Sequence, residues 1–233
     1  MHKPLHVTEL VIAYDKKVLL RIPELELHAG QLAVLTGRNG SGKSSLLRSI
    51  AGLQPSASGQ IKLDGLDVRG LRPMERARRV SIVLTELPGL RGIDVFTLVG
   101  MGRFPHHEPV SPDSNAHRQW VEQSLQDVAM ETYTDRSLAS LSDGELQKVM
   151  IARAICQDTP LILLDEPTAF LDYEAREDLM QLLRRITRSG KKAVLFSSHD
   201  LDTSLRFADL RVHLGGGISE MTSLQGTSLT SNS

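Results

Sequence analysis

The residues Gly37-Arg38-Asn39-Gly40-Ser41-Gly42-Lys43-Ser44 set Gly37, Gly42, Lys43 and Ser44 in the pattern G-x-x-x-x-G-K-[ST]. In that pattern backbone N–H groups wrap around phosphates, the lysine reaches the β and γ phosphates of a nucleotide, and the hydroxyl is a ligand for Mg²⁺. The helical apolar spacing at Ser44, Leu46, Leu47, Ile50 and Ala51 aims a partly positive helix N-terminus at the same anion, with Ser45 in the first turn also expected to bind the nucleotide. An ordinary glycine turn is the plain alternative, but a strand before and a helix after the loop are the context that phosphate binding requires. A second group is Leu161-Ile162-Leu163-Leu164-Asp165-Glu166, four apolar residues that end in two carboxylates. A buried parallel strand that delivers acids at its carboxyl end would let Asp165 hold Mg²⁺ and Glu166 draw a proton from water, whereas a solvated acidic turn would do neither.

Between these groups lies Leu141-Ser142-Asp143-Gly144-Glu145, followed by Leu146-Gln147-Lys148-Val149-Met150. Ser142 and Glu145 satisfy the S-x-x-E capping box, which predicts a helix start. The same segment resembles the signature of ATP-binding-cassette (ABC) ATPases, whose usual form is LSGGQ, so Asp143 and Glu145 are departures. The resemblance implies that Ser142 and Gly144 meet the γ-phosphate of ATP bound to a second copy of the chain, with Asp143 turned away. It also implies that Ala169-Phe170-Leu171-Asp172 is the loop crossing the dimer interface, that His199 in Ser198-His199-Asp200 is the switch histidine contacting the γ-phosphate, and that Tyr14 stacks on adenine. Where the family carries a glutamine that touches Mg²⁺ and signals to the membrane partner, this chain has Thr85-Glu86, so Thr85 takes the metal position. Gly102-Arg103-Phe104-Pro105-His106 resembles a G-R-x-P-H element in ATPases of iron-siderophore, haem and cobalamin importers, near the surface that meets the permease.

These groups need elements to hold them. The pattern predicts strands over Leu5–Ala13, Val18–Leu27 with an interruption at Pro23, Gln31–Thr36, Ile61–Leu63 and Val80–Leu84. From about 87 to 136 prolines break short helical pieces, with a longer helix expected from Asn115 to Met130. A helix at Asp143–Cys156, a strand at Leu161–Asp165, a helix at Tyr173–Arg188 and a strand at Ala193–Ser197 follow. The expected fold is α/β, a P-loop NTPase with a mainly parallel core sheet, an antiparallel N-terminal β subdomain and a helical subdomain inserted over about 87–158. The domain is expected over 1–214, with 215–233, rich in Gly, Ser and Thr, as a disordered tail.

The 233 residues are 40% hydrophobic with a net charge of −1, which suits one ordinary globular core and gives no global reason to bind nucleic acid. No apolar run approaches the ~18 residues of a membrane span, so a separate permease is expected, with the chain at the cytoplasmic face. Cys156, the single cysteine, lies in an apolar helical pattern and is expected in the core. Arg72, Arg76, Arg78 and Arg79 are expected on a solvated helix face, and His106-His107-Glu108 are too crowded in sequence to converge on one ion. The implied function is ATP hydrolysis with Mg²⁺ by a homodimer that drives a permease dimer fed by an extracytoplasmic binding protein. Two rivals are a soluble ABC ATPase that remodels a cytosolic assembly and, given Thr85, Asp143 and Glu145, a weakly hydrolysing nucleotide switch.

Overall fold

The computed structural model describes residues 2–15, 17–85, 92–106 and 114–224. Within them ten strands form one sheet. They are β1 (Leu5–Tyr14), β2 (Lys17–Leu27), β3 (Leu32–Gly37), β4 (Ser58–Leu63), β5 (Leu66–Asp67), β6 (Val80–Val83), β7 (Leu161–Leu164), β8 (Ala193–Ser197), β9 (Leu210–Gly215) and β10 (Ile218–Ser223). Their order across the sheet is β5-β4-β1-β2-β10-β9-β3-β8-β7-β6. The half from β9 to β6 is parallel, and β1 pairs antiparallel with both β2 and β4.

The central strands β3, β7 and β8 are buried on both faces, and their side chains alternate between two cores. Leu32, Val34, Ile162, Leu164, Val194 and Phe196 join the core beneath the helices of the inserted region. Ala33, Leu35, Leu161, Leu163, Ala193 and Leu195 join the other, which holds the helix after the glycine loop and the antiparallel strands. The continuous apolar runs of β7 and β8 therefore mark the centre of the sheet.

Helices α1 (Lys43–Ile50), α2 (Pro73–Ala77), α3 (Val95–Gly100), α4 (Asn115–Asp127), α5 (Asp143–Cys156), α6 (Tyr173–Arg188) and α7 (Leu201–Phe207) complete the fold. Helices α3, α4 and α5 lie between β6 and β7 along the chain. In α6 the buried Leu179, Met180, Leu182 and Leu183 form one stripe, and Asp172 caps the first turn by accepting from the Ala175 N–H at 2.8 Å.

The structure departs from the expectations in four places. β2 runs through Pro23 without a break, because the Glu9–Pro23 pair is missing from the β1–β2 ladder and a residue without an N–H is tolerated there. The helix expected to reach Met130 stops at Asp127, and Ala129 turns into the left-handed region at φ 56°. Ile218–Ser223 forms β10, inside the stretch expected to be a disordered tail, so the folded unit extends past 214; residues 225–233 lie outside the described part. The arginines are not simply solvated: Arg78 Nε donates to the Pro105 carbonyl at 2.6 Å and Arg79 Nη1 to the Glu75 carbonyl at 2.6 Å.

Candidate nucleotide site

The glycine loop joins the end of β3 to α1, and its geometry depends on glycine at two points. A Cβ on Gly37 would lie 2.5 Å from Ser41 Oγ and 2.8 Å from the Leu214 carbonyl. Gly42, at the N-cap of α1, has φ 97°, a conformation that side chains disfavour. Gly42 supplies no side-chain hydrogen bond to the first turn of α1, so the N–H groups there are available to an anion. Arg38, Asn39 and Gly40 form the exposed rim, while Ser41 and Ser44 lie deeper.

Lys43 is 7% exposed, and its Nζ donates to the Gly37 carbonyl at 3.1 Å. It also lies 3.1 Å from His199 Nε2 and 3.7 Å from Glu166 Oε1. The same histidine nitrogen is 3.0 Å from Glu166 Oε1. Three residues from three parts of the chain, at the ends of β3, β7 and β8, are thus brought to one point. Such an arrangement can hold phosphate, accept a proton from water and orient that water.

Asp165 is buried, and its Oδ1 accepts from Ser197 Oγ at 2.8 Å. The Glu166 N–H donates to the same Ser197 oxygen at 2.8 Å, and the Asp165 N–H donates to the Val83 carbonyl, also at 2.8 Å. Glu166 itself adopts φ 52°, a left-handed conformation that costs a non-glycine residue about 1 kcal/mol or more. Ser197 is the functional residue that the sequence reading missed. The signal was a hydroxyl ending an apolar strand: the parallel pair Leu164–Phe196 puts the next residues, Asp165 and Ser197, side by side.

Thr85 follows β6, where its hydroxyl donates to the Asp165 carbonyl at 3.0 Å, close to the acids; Glu86 lies outside the described residues. Ser44, Asp165 and Thr85 offer only oxygen donors, and that set fits Mg²⁺. Tyr14 ends β1, half exposed, with its hydroxyl 3.1 Å from Ser45 Oγ and donating to Gln54 Oε1 at 2.8 Å. Its ring is therefore held beside the first turn of α1.

Ser142 and Gly144 belong to a second cluster, at the start of α5. The capping box forms in full: the Glu145 N–H donates to Ser142 Oγ at 3.3 Å, and Glu145 Oε2 accepts from the Ser142 N–H at 2.8 Å and from Ser142 Oγ at 3.0 Å. These bonds, with the Tyr133 hydroxyl, hold the Glu145 carboxyl below its ordinary range, the Ser142 N–H contributing most. A Cβ on Gly144 would come within 3.0 Å of the Phe170 carbonyl, so the start of α5 packs closely on the Ala169–Asp172 loop of the same chain.

The segment Gly102–His106 is pinned to the end of α5. A Cβ on Gly102 would lie 2.5 Å from the Arg153 carbonyl; Arg103 Nη1 donates to the Cys156 carbonyl at 3.0 Å, its guanidinium carbon 4.4 Å from the Trp120 ring centre. His106 Nε2 donates to the Gln157 carbonyl at 2.6 Å. His107 and Glu108 lie outside the described residues.

A mainly parallel sheet with a glycine loop at the end of β3 and paired carboxylates at the end of β7 defines a nucleotide-binding protein of the P-loop class. Residues 20–169 match the family model described as ABC transporter, and the chain belongs to that family. It is 31% identical over 209 residues to the petrobactin import ATP-binding protein FpuD of Bacillus anthracis, covering 90% of this chain and 77% of that one. It is 35% identical over 202 residues to the achromobactin transport ATP-binding protein CbrD of Dickeya dadantii, covering 86% of this chain and 75% of that one. Among solved structures, a dimeric ATP-binding cassette in a post-hydrolysis state with ADP and Pi superimposes with a TM-score of 0.86 at 24% identity, over 95% of this chain and 99% of that one. The chain is accordingly an ABC-type ATPase. Among the described residues no helix is long and apolar enough to cross a membrane.

Proposed function

We propose that the chain is the ATP-hydrolysing subunit of an importer for an iron-siderophore or a related metal chelate such as haem or cobalamin. Two copies would act on a separate permease dimer at the cytoplasmic face of the membrane, with cargo handed over by an extracytoplasmic binding protein. The observation that carries this reading is the Gly102–His106 segment. Close packing at Gly102, the Arg78 bond to the Pro105 carbonyl and the side-chain bonds of Arg103 and His106 anchor it, yet Phe104 and the preceding Met101 remain 61% and 49% exposed. Rigid backbone under exposed apolar groups suits a protein-docking surface. The petrobactin import of FpuD and the achromobactin transport of CbrD favour an importer of the same kind.

In the reaction the glycine loop and Lys43 hold the ATP phosphates, and Ser44, Asp165 and Thr85 hold Mg²⁺, which when bound neutralises phosphate charge. Glu166 accepts the proton of the attacking water, and His199 fixes the γ-phosphate. Ser142 and Gly144 of a second copy close the site, and Tyr14 stacks on adenine. The test is to purify the chain with its permease and measure ATP turnover on adding binding protein loaded with candidate chelates. Stimulation by one chelate class supports the proposal; failure to copurify with any polytopic membrane protein refutes it.

A further inference from the structure

One face of the β1–β2 hairpin gathers His6, Glu24 and Glu26, with His28 just past the end of β2. Antiparallel register sets His6 directly opposite Glu26, and Glu24 two residues along β2 on the same face. His6 Nε2 lies 3.2 Å from Glu26 Oε1 and 3.6 Å from Glu24 Oε1, and His28 Nε2 lies 3.8 Å from Glu26 Oε2. Among the described residues, His6, Glu24 and Glu26 are the one group of three possible metal-ligating side chains whose donor atoms all fall within 4.8 Å.

The two closest separations match a coordination polyhedron. Four ligands at the ~2.0–2.1 Å typical of nitrogen and oxygen on Zn²⁺ lie about 3.3–3.4 Å from one another in a tetrahedron. His6 Nε2 is moreover a buried atom that makes no hydrogen bond, since its approach to Glu26 is close but misaligned, and His28 Nδ1 is likewise buried without a hydrogen bond. A ring nitrogen buried without a hydrogen bond between two carboxylates is left unexplained by the chain's own groups and is ordinary for a borderline cation. Glu24, Glu26 and His28 also line an open cavity beside Leu210, Ser219 and Met221, through which an ion can enter.

We infer that this face binds a divalent transition-metal ion of the Zn²⁺ type through His6, Glu24 and Glu26, with the fourth position open to water. One cation competes for the site: Lys3 Nζ donates to Glu26 Oε1 at 2.5 Å, the same oxygen that faces His6. Metal binding must displace it. Lys62, opposite His6 on β4, adds positive charge on the other flank. Bound metal would clamp β1 to β2 independently of nucleotide.

The test is Zn²⁺ titration of the full chain, freed of any affinity tag, by calorimetry and competition with a chelating dye. One ion per chain is expected, with affinity reduced at least tenfold in His6→Ala and in Glu24→Gln and raised in Lys3→Met. Glu24 is 66% exposed, so Glu24→Gln reports on binding without disturbing the fold. No Zn²⁺ binding by the parent chain, or equal affinity in the parent and Glu24→Gln, overturns the site and leaves a charge network of Lys3, His6, His28 and the two glutamates. Neither result bears on the ATPase reading, which rests on other residues.

Discussion

Nε2 of His199 lies 3.1 Å from Nζ of Lys43 and 3.0 Å from Oε1 of Glu166, so one ring nitrogen faces both a cation and an anion. It cannot serve both. To accept from the ammonium it must be unprotonated, and to donate to the carboxylate it must carry the proton. A nucleotide that draws Lys43 onto its phosphates resolves the conflict and leaves the histidine free to donate. In the proposed reaction, recognition of phosphate and readiness of Glu166 as base would thereby be coupled through a single atom.

That coupling separates two variants. Glu166→Gln keeps the size of the side chain but removes the proton acceptor, so turnover should fall by about 10²–10⁴-fold while ATP still binds. His199→Ala should lower turnover by about 10²-fold for want of a phosphate donor. Steady-state phosphate release with a parallel ATP-binding measurement checks both. Hydrolysis at the parent rate in Glu166→Gln would remove that residue from the role of base.

Lys43→Ala acts one step earlier. A charged hydrogen bond to phosphate is worth about 1.5–3 kcal/mol, which is roughly a 10- to 100-fold weakening of nucleotide affinity. Fluorescent-nucleotide titration is the measurement, and unchanged affinity would contradict the part given to the loop.

Ser197→Ala tests the hub behind the carboxylates. It deprives the buried Asp165 Oδ1 of a donor and the part-buried Glu166 N–H of an acceptor. A loss of about 1–3 kcal/mol of stability is expected for each group left without a partner, along with slower turnover. Denaturant unfolding of the two proteins reads this directly; a stability equal to the parent's would mean that other groups fill the gap.

The start of α5 should respond to acid. Because folding lowers the Glu145 pKa, the cap is fully formed above the ordinary value near 4.5 and is lost as pH falls through the lower folded value. The Ser142 amide shift should move in that acid window in the parent chain and stay flat in Glu145→Gln, which keeps an oxygen acceptor but does not titrate. Identical flat profiles would show that the carboxylate does not bear the cap.

Cys156 supplies a control on the core. It is fully buried, and burial pushes its thiol up to about 11, so at pH 8 only about one in a thousand is thiolate. An aromatic disulfide reagent should label it only after denaturation; rapid labelling of the folded chain would place it at the surface.

The central strands and long helices were legible because their signals are local. Asp143–Cys156, Tyr173–Arg188 and Ala193–Ser197 carry their own caps or apolar runs, and their bounds agree with the sequence reading. The glycine loop was legible for the same reason, and Lys43, Glu166 and His199 converge as the motif order suggested. Ser197 was not, because a lone serine becomes informative only once β7 and β8 are in register. β10 was missed for a similar reason. Its pattern is mostly exposed and polar, and what makes it a strand is the open edge of β9, a partner that the sequence of 218–223 does not reveal.

β10 also joins the two halves of the sheet: it runs antiparallel to β9 and meets β2 through Ile218–Arg21, where the Arg21 N–H reaches the Gly217 carbonyl at 2.8 Å. A chain cut after Gly215 would therefore do more than shed a tail. It would open a seam between the halves of the sheet and bare the ladder of β9, with β2 uncovered at Arg21, an edge of the kind that draws strands from neighbouring molecules. Residues 218–223 thus cover strand edges that would otherwise stand open to pairing.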